Sequence, residues 1–205
     1  MVTTVERLRE SLDAIAALEP GFAAAIGRVG YPLPRMREPG YETLLRTIVG
    51  QQVSVAAAAA VWRKLEAELG EGCAPDILLS RDFEALRSCG LSRQKQGYAR
   101  SLAELVTSGA IDLHALPQED EEAIALLTRI KGIGRWSAEI YLLFAEGRPD
   151  IWPAGDLAVQ VEVGRILGLP ERPSERQTRE VAERWRPHRG AAAIMAWHHY
   201  NTEVL

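Results

Sequence analysis

Residues 126–144 read "LLTRIKGIGRWSAEIYLLF". Apolar residues recur here at helical spacing, yet Gly132-Ile133-Gly134 interrupts the pattern and Trp136 follows at once. Two glycines cost roughly 1 kcal/mol each inside a helix, so a turn is expected at this point, joining a helix over 120–130 to one over 136–145. Glycine permits positive φ and close approach of backbone. The amides that open the second helix lie at the positive end of its dipole, where an anion is favoured. Ile133 between the glycines should plug into the core, while Lys131 and Arg135 flank the turn with charge. A phosphate of a nucleic-acid backbone fits such a place, and contact with it carries no base information. Taken alone, the Gly-Ile-Gly stretch equally fits a tight turn between two helices with no ligand.

The rest of the chain sets bounds. Its 205 residues suffice for one sizeable core or two lobes, and 47% hydrophobic with 25% charged residues is ordinary for a water-exposed globular protein. Apolar runs such as Val53 to Trp62 are too short to span a bilayer, and the N-terminus has no signal-peptide pattern. Cys73 and Cys89 stand in no ligand-like pattern and read as buried, idle thiols of a reducing compartment. A cytoplasmic (bacterial cytosol or nucleoid), monomeric protein without membrane contact is the expectation. The net charge of −4 argues mildly against a nucleic-acid partner. However, carboxylates crowd residues 64–122, whereas residues 127–148 hold Arg129, Lys131, Arg135 and Arg148 against Glu139 and Glu146. A local basic face can bind phosphate on an acidic protein.

Helical periodicity runs almost from end to end. Leu8, Leu12, Ile15 and Leu18 share a face, as do Leu44, Leu45, Ile48 and Val49. Ser54 reads as the N-cap of an alanine-rich helix to about Leu69. Further helices are expected over 82–88, 92–108, 157–167, 174–185 and 189–200, with Ser174 and Gln177 at capping-box spacing. The proline-rich stretch 30–40 and the stretch 147–155 read as linkers. No run alternates with period two, so the fold class is all-α.

One carboxylate stands out. "WPAGDLAVQ", residues 152–160, puts Asp156 after a glycine and at a helix start, where dipole and backbone donors favour its ionised form. Most aspartates so placed are N-caps. His198 and His199 have no accompanying ligand spacing, and no metal is expected.

Several motifs in order carry a resemblance. The hairpin stretch resembles the helix–hairpin–helix of the HhH-GPD superfamily of DNA glycosylases, and Asp156, 22 residues beyond Gly134, falls where that family keeps its catalytic aspartate. "YETLLRTIVGQQVSVAAAA" (41–59) resembles the segment that drives a wedge into DNA, and "GLSRQKQGYARSLA" (90–103) the next helix entry. "ERWRPHRGAAAIMAWHHY" (183–200) resembles the C-terminal helix of the alkylation-repair branch, the 3-methyladenine DNA glycosylases of the second type.

The resemblance implies a two-lobed helical glycosylase fold without the N-terminal β-rich domain of some relatives. The middle lobe would span 38–151, with the helix–hairpin–helix at about 120–145. Residues 1–37 and 152–205 would form the terminal lobe that completes the active-site cleft. The implied substrate is double-stranded DNA carrying alkylated bases of the 3-methyladenine or 7-methylguanine type. Asp156 would assist hydrolysis of the N-glycosidic bond, with Glu139 as a lesser rival. Lys131, Gly132, Ile133, Gly134 and Arg135 would hold the backbone, with positive φ at the glycines. Gln51 and Gln52 would form the wedge, Gln52 filling the vacated space.

Trp136 and Trp197 would line the base pocket, where indole faces attract cationic bases; large aromatics of this kind also serve as plain core residues. Trp136 stands where bifunctional relatives keep a Schiff-base lysine, which implies no lyase step. Ile140, His188 and Ala191 sit where relatives can carry larger aromatics, implying a wider pocket. Lys95, Arg93 and Arg129 fit phosphate contacts or ordinary surface charge. No cofactor is required; a monovalent cation, Na+ or K+, at the hairpin carbonyls follows from the resemblance alone. The alternatives are a catalytically silent helix–hairpin–helix protein that binds damaged DNA, and a glycosylase for mismatched, deaminated or oxidised bases.

Overall fold

A computed structural model of the chain describes residues 4–203. Among them there is no strand, in keeping with the all-α expectation. Among the described residues no helix is long and apolar enough to cross a membrane.

The chain forms two compact units. One takes the residues up to Met36 and again from Leu142, and the other runs Arg37–Tyr141. Among the described residues twelve α-helices follow in order. They are α1 Val5–Leu18, α2 Pro20–Val29, α3 Tyr41–Gly50, α4 Val55–Leu69, α5 Pro75–Ser80 and α6 Phe83–Ser88, then α7 Arg93–Thr107, α8 Asp120–Leu127, α9 Arg135–Phe144, α10 Leu157–Ile166, α11 Glu175–Ala182 and α12 Arg189–Glu203.

In the Arg37–Tyr141 unit, α7 lies against α3, α5 and α6. The stripe Leu44, Leu45, Ile48 and Val49 of α3 is buried, together with Leu65 of α4 and Leu102 of α7. Each such side chain contributes about 1.5–3 kcal/mol by leaving water. Ser54 caps α4 by accepting the Ala57 amide at 3.2 Å, and Ser92 caps α7 through the Lys95 amide at 3.3 Å. Both helices therefore start where the sequence says they should.

The other unit gathers α1, α2, α10 and α12. Phe22 packs edge-on to Trp185 at 5.1 Å, and Trp152 meets the same ring at 5.5 Å. Helix α2 follows α1 after a single residue. Pro20 does not end the helical run but opens a new helix at its first turn, where the missing N–H costs nothing. The expected helix over 174–185 divides into α11, which opens with the Ser174–Gln177 capping box, and a 3₁₀ turn over Glu183–Trp185.

The stretch 30–40 lacks helix, as its prolines require. The stretch 147–155 is more than a spacer. Ile151, Trp152 and Ala154 are buried, and the Trp152 indole donates to the Thr178 carbonyl at 2.9 Å. That packing sets the approach to Asp156. Cys73 and Cys89 are free and buried, and burial pushes the Cys73 thiol up to about 11, so neither is a ready nucleophile.

Candidate active site

Asp156 ends a buttressed turn. Its amide donates to the Pro153 carbonyl at 2.9 Å, and Ala154 N to Trp152 O at 2.9 Å. From the first turn of α10, the Gln160 side chain donates to the Ala154 carbonyl at 2.8 Å. Asp156 is the N-cap of α10, its Oδ1 accepting the Val159 amide at 3.0 Å. The same oxygen accepts a second bond, from Trp197 Nε1 at 3.1 Å. A simple N-cap needs only the first of these. The side chain is half-buried at the N-terminal end of α10.

Trp197 is brought there by α12, whose start is anchored firmly. Arg189 makes a bidentate pair with Asp150, 2.9 Å on each oxygen. Gly190 N donates to the Pro149 carbonyl at 2.8 Å, and a Cβ on Gly190 would collide with that carbonyl and with Leu143. The Trp197 ring lies tilted against Phe144, centroids 5.6 Å apart. Trp197 thus holds the carboxylate with its N–H edge, a role that helical spacing does not reveal.

The hairpin between α8 and α9 departs from expectation in two details. Gly132 has φ +84, but Gly134 does not have positive φ. Its carbonyl already accepts the Ala138 amide at 3.0 Å, so Gly134 belongs to the start of α9 rather than to the turn. At Gly132 a Cβ would run into the Tyr98 ring, whereas at Gly134 it would meet nothing within 4 Å. The first glycine is demanded by the fold, and the second stands in open space. Ile133 is buried at 3% exposure as a core plug, and the Lys131 amide is fixed by Ser101 Oγ at 3.1 Å.

The second departure concerns charge. Lys131 is exposed, but Arg135 is engaged by Glu121, with its NH1 at 2.9 Å, and by Glu139, with its Nε at 2.9 Å. These carboxylates, Glu121 first, hold the guanidinium still more firmly protonated than usual and offset its charge. Glu139 is 2% exposed and its carboxylate is committed to Arg135. That disfavours it as the rival to Asp156.

Gln51 and Gln52 separate. Gln51 is half-buried, and its Nε2 donates to the Gly132 carbonyl at 2.8 Å. Gln52 is exposed, with φ +54. Lys95 is no loose surface cation, since its ammonium donates to the Val49 carbonyl at 2.7 Å and burial lowers its pKa. Arg93 lies 4.9 Å over the Phe83 ring, and Arg129 is exposed. Trp136, at the first turn of α9, is 47% exposed, an unusual state for an indole. Ile140, one turn on, is half-buried.

The terminal histidines are not isolated. His199 is fully buried, with Nδ1 2.5 Å from Glu162 Oε2 and Nε2 2.9 Å from an Arg28 nitrogen. Glu162 is buried too and pairs with Arg165 at 2.7 Å. This buried network ties α2, α10 and α12 together. His188 meets Ser11 Oγ at 3.1 Å, and Ala191 is buried. No group of three or more His, Cys, Asp or Glu side chains suited to a metal ion occurs among the described residues.

Known proteins resemble this chain in sequence and in fold. DNA-3-methyladenine glycosylase 1 of Schizosaccharomyces pombe is 36% identical over 165 residues, covering 78% of this chain and 72% of that protein. A solved structure of a 3-methyladenine DNA glycosylase from the same yeast, in complex with abasic DNA, superposes with a TM-score of 0.78 at 31% identity. It covers 96% of this chain and 97% of that one. A DNA-3-methyladenine glycosidase from Bacillus halodurans gives a TM-score of 0.86 at 31% identity, with 95% and 90% covered. Residues 45–187 match the model of the HhH-GPD superfamily base excision DNA repair proteins, a span that takes in the Gln51–Gln52 turn, the hairpin and Asp156. The chain belongs to the HhH-GPD superfamily of base excision DNA repair proteins.

Proposed function

We propose that this protein is a DNA glycosylase that flips alkylated bases of the 3-methyladenine and 7-methylguanine type out of duplex DNA and hydrolyses their N-glycosidic bond. The observation that carries this reading is the Asp156 carboxylate, held through Oδ1 by both the Val159 amide and the Trp197 indole. The relatives named above, at 31–36% identity, support the same substrate class.

The chemistry follows from charge. As the C1′–N bond breaks, its electron pair goes to the base and the sugar gains oxocarbenium character. A fixed carboxylate opposes that positive charge and orients water, whose oxygen then bonds to C1′. The water proton passes to the carboxylate or to the departing base. A cationic alkylated purine is neutralised by the electron pair that it receives, so no strong acid is needed beside Asp156. Two donors on Oδ1 fix the carboxylate before the substrate arrives, which removes reorganisation from the barrier.

The hairpin serves as the backbone grip. Gly134 enters α9 with nothing within 4 Å of where its Cβ would lie, and exposed Lys131 adds charge. Binding there is to phosphate and independent of sequence. Trp136 offers an exposed indole for a cationic base. The monovalent cation that the resemblance implies would sit on hairpin carbonyls. Those of Gly132 and Ile130 already accept Gln51 Nε2 at 2.8 Å and the Ile133 amide at 3.0 Å, yet each keeps a second lone pair. Such an ion would supply positive charge beside the phosphate, and no step above depends on it.

The reaction stops at the abasic site. Trp136 has no amine to form a Schiff base, so no lyase step follows. Incubation of the protein with alkylated duplex DNA, with chromatography of the released bases, tests the reading. Release of 3-methyladenine or 7-methylguanine with an intact abasic strand is expected, and borohydride should trap no protein–DNA adduct. No released base would leave a silent damage-binding protein, and release of only oxidised or mismatched bases would overturn the substrate class.

A further inference from the structure

Gln51 and Gln52 are adjacent, but the structure gives them different work. Gln51 leaves α3 with φ −60 and ψ 132, and its side chain reaches a hairpin 81 residues away in sequence to donate to the Gly132 carbonyl at 2.8 Å. Gln52 stands exposed with φ +54, one of two non-glycine residues with positive φ among the described residues. A left-handed conformation is unfavourable by roughly 1–2 kcal/mol for a residue with a Cβ. It persists only where the surroundings fix it.

The surroundings do so at three points. Lys95 donates to the Val49 carbonyl at 2.7 Å, just before the turn. Ser54 caps α4 just after it. Gln51 ties the turn itself to the hairpin. An open hollow of about 490 Å³ adjoins it, its walls including Gln51, Gln52, Val53, Lys95, Tyr98 and Gly132. The Lys95, Ser54 and Gln51 contacts hold the turn from both sides and from the hairpin.

We infer that Gln51 is a positioning residue. Its hydrogen bond to the Gly132 carbonyl sets the turn that projects Gln52 into the duplex, and it couples the wedge to the backbone-gripping hairpin. The inference rests on the glycosylase reading above and adds to it. Gln51 does not enter the DNA, because its amide is already committed to the hairpin; Gln52 alone fills the space left by the flipped base. A pre-formed turn lowers the ordering cost of insertion. One hydrogen bond of this kind changes an equilibrium by roughly 3- to 10-fold.

The test uses a duplex with one tetrahydrofuran abasic site and the same duplex intact. The ratio of the two dissociation constants reads how well the wedge fills a vacant position. Gln52→Ala and Gln51→Met should each reduce the preference for the abasic duplex roughly 3- to 10-fold, with affinity for the intact duplex unchanged. The double variant should be no worse than either single variant, since both act through one contact. Additive losses would make Gln51 a wedge in its own right and overturn the inference. So would an unchanged preference in Gln51→Met, an equal loss on both duplexes, or no abasic preference in the wild type. Should Gln51→Met fail to fold, Gln51→Glu, of the same length but without a donor, takes its place. If the wild type released no base, the glycosylase reading would fail instead, and that is measured separately.

Discussion

The Trp197 indole donates to Oδ1 of Asp156 at 3.1 Å, and so reaches the one carboxylate that already caps α10. An indole used this way is a holder of charge as well as a wall. Trp197→Phe keeps the ring and deletes the donor. Single-turnover base release should fall roughly 10-fold with DNA affinity nearly unchanged, the cost of one hydrogen bond to an ionised group. An unchanged rate would reduce Trp197 to a packing residue against Phe144.

The two hairpin glycines should behave differently. Gly132 sits at φ +84 against the Tyr98 ring, so Gly132→Ala should lower stability by roughly 2 kcal/mol or more, visible in thermal unfolding. Gly134→Ala meets no neighbouring atom. It should leave the melting temperature alone and weaken binding to damaged and undamaged duplex equally. Loss for one lesion only would mean that the hairpin reads the base.

Trp136 carries the charge-selection claim. Trp136→Leu keeps apolar bulk and removes the ring quadrupole, worth roughly 0.5–2 kcal/mol toward a cation. Excision of 7-methylguanine should drop more than that of neutral hypoxanthine, once each rate is divided by the uncatalysed rate for that lesion. Equal losses would mean that the pocket selects by shape.

Much of this was legible in the sequence because it is local. The Gly-Ile-Gly turn, the caps at Ser54 and Ser174, and Asp156 at a helix start are all set by residues within four positions. Partners far apart in the chain were not legible. Arg135 reads as a free flanking cation until Glu121 and Glu139 are seen on it. No local pattern announces that the Gly132 carbonyl, 81 residues on, accepts the Gln51 amide. His199 shows no ligand spacing in the sequence, and only the fold brings Glu162 of α10 to it. Gly134 shows a subtler limit, since two glycines one residue apart look alike, yet only one bears the positive φ. Tertiary packing chose between them, through Tyr98.

The most direct measurement is single-turnover release of 7-methylguanine from duplex DNA by wild type and Asp156→Asn. The amide retains the size of the carboxylate and an oxygen for the Val159 cap, but not the charge that opposes the oxocarbenium ion. Release should fall on the order of 100-fold or more, with the melting temperature and DNA affinity nearly unchanged. Near-full activity in Asp156→Asn would contradict the account.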